Sequence, residues 1–169
     1  MERVVVSDTN IFIDLIKLGA LGDMFLLPWE IYTTDFVISE LEDPKQRDIV
    51  LGFQQRNKLI IKTFSSSQLI ELYEFMSSHS RKLSLTDSSV WLYAKKEGYT
   101  ILSGDRKLLS KASTDNVEAH GLLFIFDNLV EYNILPEQYA AALLEELKAI
   151  NKWLPISEID KRIERYSVE

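Results

Sequence analysis

Four acidic side chains, Asp8, Glu40, Asp87 and Asp105, have the type and spacing to do chemistry. Asp8 ends the apolar run Val4-Val5-Val6-Ser7, and Asp105 ends Tyr99-Thr100-Ile101-Leu102-Ser103-Gly104. Glu40 and Asp87 fall on, or at the start of, predicted helices. If the two runs are strands lying parallel in one sheet, Asp8 and Asp105 emerge at the same edge, where ligands of open α/β folds bind. Asp87 precedes Asp105 by 18 residues, the length of one helix–turn–strand unit, and so comes back to that edge. Carboxylates crowded there repel one another. A divalent cation is the simplest way to stabilise such a cluster, and hard oxygen ligands favour Mg2+ or Mn2+. Taken singly, each acid also has a structural reading. Asp8 and Asp87 can cap helices, aspartate being a favoured cap residue; Glu40 can be a solvated helix residue, and Asp105 can sit in a Ser-Gly-Asp turn. Their joint placement favours a site.

The elements that must position these acids follow from apolar periodicity. Val4 to Ser7 reads as a buried strand, and Asp8-Thr9-Asn10 starts a helix that Gly19 ends. Leu21 to Leu27 reads as a brief helix and Ile31 to Thr33 as a second strand. Thr34 or Asp35 caps a helix bearing Val37, Ile38 and Leu41, closed by Pro44, and Gln46 to Arg56 is a further amphipathic helix. Leu59 to Phe64 is the third strand. After a Ser65-Ser66-Ser67 loop, helical spacing resumes at Leu69, Leu72 and Met76, and the polar stretch Ser77 to Ser84 is expected to loop out. Thr86 or Asp87 caps a helix stopped by Gly98, followed by a strand over Thr100 to Ser103 and a short basic helix over Arg106 to Ala112. Val117 to Ala119 is a short fifth strand, Gly121 to Tyr132 a helix, Pro136 to Trp153 a long helix, and a last one ends near Tyr166. Strands alternating with helices imply a parallel sheet covered on both faces, an α/β fold.

The bulk properties are compatible with one such domain. The chain has 169 residues, 46% hydrophobic and 27% charged, enough for a real core. It has no cysteine, which excludes disulfides, thiolate metal sites and a cysteine nucleophile. The net charge of −7 argues against strong non-specific nucleic-acid binding, which draws on lysine and arginine. A nuclease is still allowed, because a bound cation reverses the local field of an acidic site. The opening residues Met1-Glu2-Arg3-Val4 lead into no apolar stretch long enough for a signal peptide or membrane span, so a cytoplasmic protein is the expectation.

The segments Val4-Val5-Val6-Ser7-Asp8-Thr9-Asn10, Ile38-Ser39-Glu40-Leu41, Leu85-Thr86-Asp87-Ser88-Ser89 and Ile101-Leu102-Ser103-Gly104-Asp105, in that order, resemble the PIN domain family. The similarity runs from about Val4 to Leu135 and is nearest to prokaryotic members, including VapC-type toxins of toxin–antitoxin pairs. His120-Gly121-Leu122-Leu123 resembles the segment that follows the fifth strand in one subgroup. The resemblance implies a PIN-like nuclease domain over residues 1–135, with sheet order 3-2-1-4-5. Residues 136–169 are expected to form a C-terminal helical extension packed on the same domain. It also implies metal-dependent hydrolysis of phosphodiester bonds, usually in RNA, with Mg2+ or Mn2+ held by Asp8, Glu40, Asp87 and Asp105. Thr9 matches the family's small polar residue after the first strand and is expected to bond a carboxylate or phosphate. Asp8 is the expected central ligand, and Glu40 is expected to hold a water or act as a base. The implied partners are an RNA substrate, an antitoxin protein and a second copy of the chain.

Other residues carry weaker signals. Asn10, Arg106 and Lys107 are candidate substrate contacts; Lys111 and the Arg81-Lys82 pair are set against a solvated face. His79 and His120 lack the spacing of a zinc site, and Trp91 and Tyr93 read as core and surface rather than as stacking platforms. The stripe Ile11, Phe12, Leu15, Ile16, Phe25 and Leu26 is expected to exceed the needs of the core and to serve dimer packing. A non-catalytic PIN-fold interaction protein is the main alternative. A phosphatase of the haloacid dehalogenase type would require a second aspartate where Asn10 stands, and a dinucleotide enzyme would require a Gly-x-Gly-x-x-Gly turn that does not follow the first strand.

Overall fold

A computed structural model describes residues 3–79 and 82–168. Five strands, β1 (Arg3–Ser7), β2 (Trp29–Thr34), β3 (Leu59–Lys62), β4 (Thr100–Leu102) and β5 (Ala119–His120), form one sheet of order β3-β2-β1-β4-β5. Every pairing is parallel. β1 lies at the centre: Val6 pairs with Tyr32 of β2 on one side and Ile101 of β4 on the other. Its continuous apolar run follows from burial on both faces, and Val5, Val6, Ile101 and Leu102 are wholly excluded from solvent.

The first half contributes helices α1 (Thr9–Lys17), α2 (Leu21–Met24), α3 (Asp35–Glu40), α4 (Pro44–Gln55) and α5 (Ser66–His79). The second contributes α6 (Leu85–Glu97), α7 (Arg106–Thr114), α8 (Leu122–Glu131), α9 (Glu137–Ile150) and α10 (Ile156–Ser167). The core joins Ile11, Phe12 and Leu15 of α1 to Val90 and Trp91 of α6, Ile125, Phe126 and Leu129 of α8, and Leu143, Leu144 and Leu147 of α9. The stripe expected to serve a dimer is thus largely consumed: Ile11, Phe12, Leu15 and Phe25 are buried, and Ile16 packs partly against them. Leu26 alone of that set stays well exposed. Among the described residues, no helix is long and apolar enough to cross a membrane.

Several local expectations are corrected. Ser77 and Ser78 do not loop out; they belong to α5, and their hydroxyls donate to the carbonyls of Tyr73 and Glu74 one turn back. Such back-bonding satisfies a polar side chain without breaking the helix. Pro44 opens α4 at its first turn instead of closing α3, since its missing N–H costs nothing there. α5 begins at Ser66, inside the serine run. Of the pair Arg81-Lys82, Arg81 lies outside the described residues and Lys82 is exposed in the turn before α6.

The last helix, α10, is fastened electrostatically to α8. Asp127 of α8 accepts hydrogen bonds from Arg162, Arg165 and the Tyr166 hydroxyl, all on α10. Burial pushes the Asp127 carboxyl up, but these partners together outweigh it and hold the group below the ordinary aspartate value. Asp127→Ala leaves the three donors without their acceptor. The expected cost is about 2–3 kcal/mol, the scale for hydrogen bonds to a charged group. Urea unfolding measures it, and hydrogen exchange should show faster opening of α10 than of α6.

Candidate active site

The ladder between β1 and β4 extends one residue beyond the strand, because the Asp8 amide donates to the Leu102 carbonyl at 2.9 Å. Asp8 and the β4–α7 turn are therefore fixed side by side at the carboxyl edge of the sheet. Beneath them lies a buried hydroxyl layer. Thr33 donates to the Ser7 carbonyl at 2.7 Å, and the Thr34 and Ser89 hydroxyls pair at 2.9 Å. Buried polar groups of this kind are tolerated because they are paired.

Asp8 caps α1, its Oδ1 accepting from the Thr9 amide at 2.8 Å, while its Oδ2 accepts from the Ser103 hydroxyl at 2.7 Å. The same Ser103 oxygen accepts from the Asp105 amide at 3.0 Å, so one side chain spaces the two aspartates. Asp105 in turn caps α7 through the Lys107 and Leu108 amides. Asn10 accepts from the Gly104 amide at 2.9 Å. A Cβ at Gly104 would stand 3.3 Å from the Asn10 side chain, so glycine permits the close approach that locks this turn to α1. Glu40, exposed at the end of α3, accepts from the Thr9 hydroxyl.

Asp87 sits in the first turn of α6, but neither it nor Thr86 is the N-cap as the sequence suggests. Ser84 takes that role, and Asp87 completes a capping box with it. The Ser-x-x-acid spacing of Ser84-Leu85-Thr86-Asp87 carries that signal. Lys107 is exposed, and Arg106 donates to the Trp153 carbonyl at 3.3 Å. His79 stacks on Phe75 and His120 on Phe124. Trp91 is buried, and Tyr93 joins an aromatic cluster with Tyr32 and Tyr99.

The acids are electrostatically coupled. Burial, with smaller contributions from the charges of Asp87 and Glu40, raises Asp8 to about 7 against the lowering effect of its Ser103 and Thr9 hydrogen bonds. Asp87 is also raised, first by burial and then by the charges of Asp105 and Glu40. The donor set is all oxygen, and a carboxylate raised by burial and, to a smaller extent, by acidic neighbours is one that a cation would relieve. Among the described residues, no three acidic or histidine side chains stand close enough to form a ready-made metal cage. Asp8, Asp87 and Asp105 each commit an oxygen to a helix terminus, which turns the carboxylates toward their caps.

Residue spacing does not single out Ser103, although it bonds both Asp8 and Asp105; its position two before Asp105 is the available signal. Ser103→Ala is expected to cost about 1–3 kcal/mol, because a buried carboxylate and an amide both lose their partner. Thermal unfolding checks this, with Asn10→Ala as the milder companion.

A parallel sheet of order β3-β2-β1-β4-β5, with acids collected past the ends of its two central strands, defines an α/β protein of PIN type. The chain belongs to the PIN domain family: the DUF3368 PIN-domain family matches residues 4–167. PIN domains are generally nucleases and usually use divalent metals. No curated protein is significantly similar in sequence. The protein PAE2754 from Pyrobaculum aerophilum is 15% identical with a TM-score of 0.53, over 78% of this chain and 99% of its own. A PilT N-terminus domain protein from Sulfolobus solfataricus is 14% identical with a TM-score of 0.45, over 76% of this chain and 94% of its own. FitAcB from Neisseria gonorrhoeae is 12% identical with a TM-score of 0.43, over 70% and 98% respectively.

Proposed function

We propose that the chain is a metal-dependent endoribonuclease whose site is Asp8, Glu40, Asp87 and Asp105. The observation that carries this reading is Asp8 held at the carboxyl edge of the sheet by Ser103 and Thr9, where burial first, and the charges of Asp87 and Glu40 to a smaller extent, raise it to about 7. Asp8, Asp87 and Asp105 would hold Mg2+ or Mn2+, and Glu40 would complete the set. When bound, the metal would shield phosphate charge and activate water for attack on the phosphodiester. Thr9 keeps the Glu40 carboxylate directed at the Asp8 edge, and Asn10 keeps Asp105 beside Asp8. Single-stranded RNA is the favoured substrate class, because recognition of RNA works on exposed, unstacked bases and an acidic chain offers little to grip a duplex.

The test is cleavage of structured RNA by purified protein with Mg2+ or Mn2+, beside a chelated control. Cuts in loops and single strands that vanish with chelator are expected. Silence on a broad set of RNAs would favour the interaction-protein reading. A toxin role, with an antitoxin partner, is tested separately by whether the neighbouring gene encodes a small DNA-binding protein that binds and inhibits this chain.

A further inference from the structure

Trp153 is 89% exposed, yet the turn that carries it is pinned at both ends of the residue. Its amide donates to the Asn151 side-chain oxygen at 3.0 Å, and its carbonyl accepts from Arg106 at 3.3 Å. Asn151 is itself anchored, donating to Asp14 of α1 at 2.8 Å. An indole that gains nothing from the core is thus presented on fixed backbone. Beside it opens a cleft of about 310 Å3 lined by Ser103, Gly104, Arg106, His120, Trp153 and Pro155, among others. The wall formed by Ser103 and Gly104 is shared with the acidic edge, since Ser103 bonds Asp8 and Gly104 bonds Asn10.

We propose that Trp153 and this cleft form a nucleobase subsite, taking one unstacked base of single-stranded RNA adjacent to the phosphate bound at the acidic edge. The inference rests on the nuclease reading for the placement of that phosphate. Three observations favour a base as occupant. The cleft is flanked by aromatic surface, with His120 stacked on Phe124 at 3.8 Å between ring centroids. Arg106, at the start of α7, lines the cleft and bonds the Trp153 carbonyl, which puts a cation beside the turn that carries the indole. The shared wall leaves the cleft next to the position a scissile phosphate would take. An aromatic platform beside a cation is how proteins hold single strands without reading sequence.

The experiment uses the full chain with metal chelated, so that RNA stays intact. A short oligouridylate, and an abasic ribose-phosphate oligomer of the same length, each carrying a terminal fluorescein, are titrated with protein while fluorescence anisotropy is followed, a signal that does not depend on Trp153 itself. Trp91 is buried and Trp29 is half-buried, so in wild type tryptophan quenching by the oligouridylate should in addition come chiefly from Trp153. Trp153→Ala should weaken oligouridylate binding roughly ten- to hundredfold, the worth of one base–aromatic stack. Trp153→Phe should recover most of it, and abasic binding should be the same in all three proteins. With metal restored, Trp153→Ala should raise KM by a similar factor and leave kcat within about twofold. Equal oligouridylate affinity in wild type and Trp153→Ala overturns the subsite, as does wild type that does not bind the oligomer. Normal metal-dependent cleavage alongside equal affinities leaves the nuclease reading standing without the subsite. Trp153-dependent binding with no cleavage of any RNA leaves the subsite standing and overturns the nuclease reading.

Discussion

Without metal, the protein should be distinctly less stable at pH 8 than at pH 5, and Asp8→Asn should abolish most of that difference. Asp8 rises from an ordinary 3.8 to about 7 on folding. Between those values the native state holds a proton that the unfolded chain has released. Stability is therefore full below pH 4 as far as this group is concerned, falls as pH climbs toward 7, and is flat above it. Each pH unit in that window is worth about 1.4 kcal/mol per proton, so the full loss is on the order of 4 kcal/mol. Asp87 and Asp14, both raised by burial, act in the same direction. Asp127 and Glu118 are lowered, so their contribution is present above the unfolded carboxylate range and is lost as pH falls below it. Together these place the stability maximum of the metal-free protein in the mildly acidic range. Asparagine at position 8 keeps the shape and a capping oxygen but cannot ionise, so Asp8→Asn should melt above wild type at pH 8 without metal. Adding Mg2+ or Mn2+ should reverse the ranking, because only wild type gains by mass action. Thermal melts at both pH values, with and without metal, decide this; parallel curves for the two proteins would sink the assigned role of Asp8.

Asp8→Asn and Asp105→Asn should each lower metal-dependent RNA cleavage by roughly 10²–10³-fold, the scale for loss of one electrostatic contributor to a transition state. Their fold effects should differ. Asp105 is only partly buried and caps α7, a task asparagine performs about equally well, so Asp105→Asn should melt within about 1 kcal/mol of wild type. Loss of cleavage without loss of structure separates catalysis from folding in that variant. If both variants cut at the wild-type rate, the activity lies elsewhere or in a contaminant.

The sheet is legible because the strands ended by Asp8 and by Ser103-Gly104-Asp105 are short runs rich in β-branched residues, and because the helices between them keep apolar faces. The features that apolar spacing does not carry are chiefly polar. Serine reads as a loop former, yet Ser77 and Ser78 bond backward within α5, and Ser84 rather than Thr86 caps α6. The stripe Ile11, Phe12 and Leu15 reads as surplus in sequence because α9, which packs against α1, is distant along the chain. Within the candidate site, the neighbours of the acids could be anticipated from strand ends. The bonds of Ser103 to both aspartates, and of Thr9 to Glu40, depend on side-chain directions that spacing does not encode.

Because Asp8 and Asp105 close helix termini as well as belong to the proposed site, mutation at these positions would meet two filters if the nuclease proposal holds. On that proposal, a lineage released from cutting would still need α1 and α7 to start where they do. Alanine or valine would be purged for their effect on folding, whereas asparagine, serine and threonine would pass. Descendants that had given up the chemistry should therefore carry amides or hydroxyls at these two places, and asparagine is one base change away from aspartate. The identity of the replacement, more than the loss of the acid, would mark a retired enzyme in this lineage.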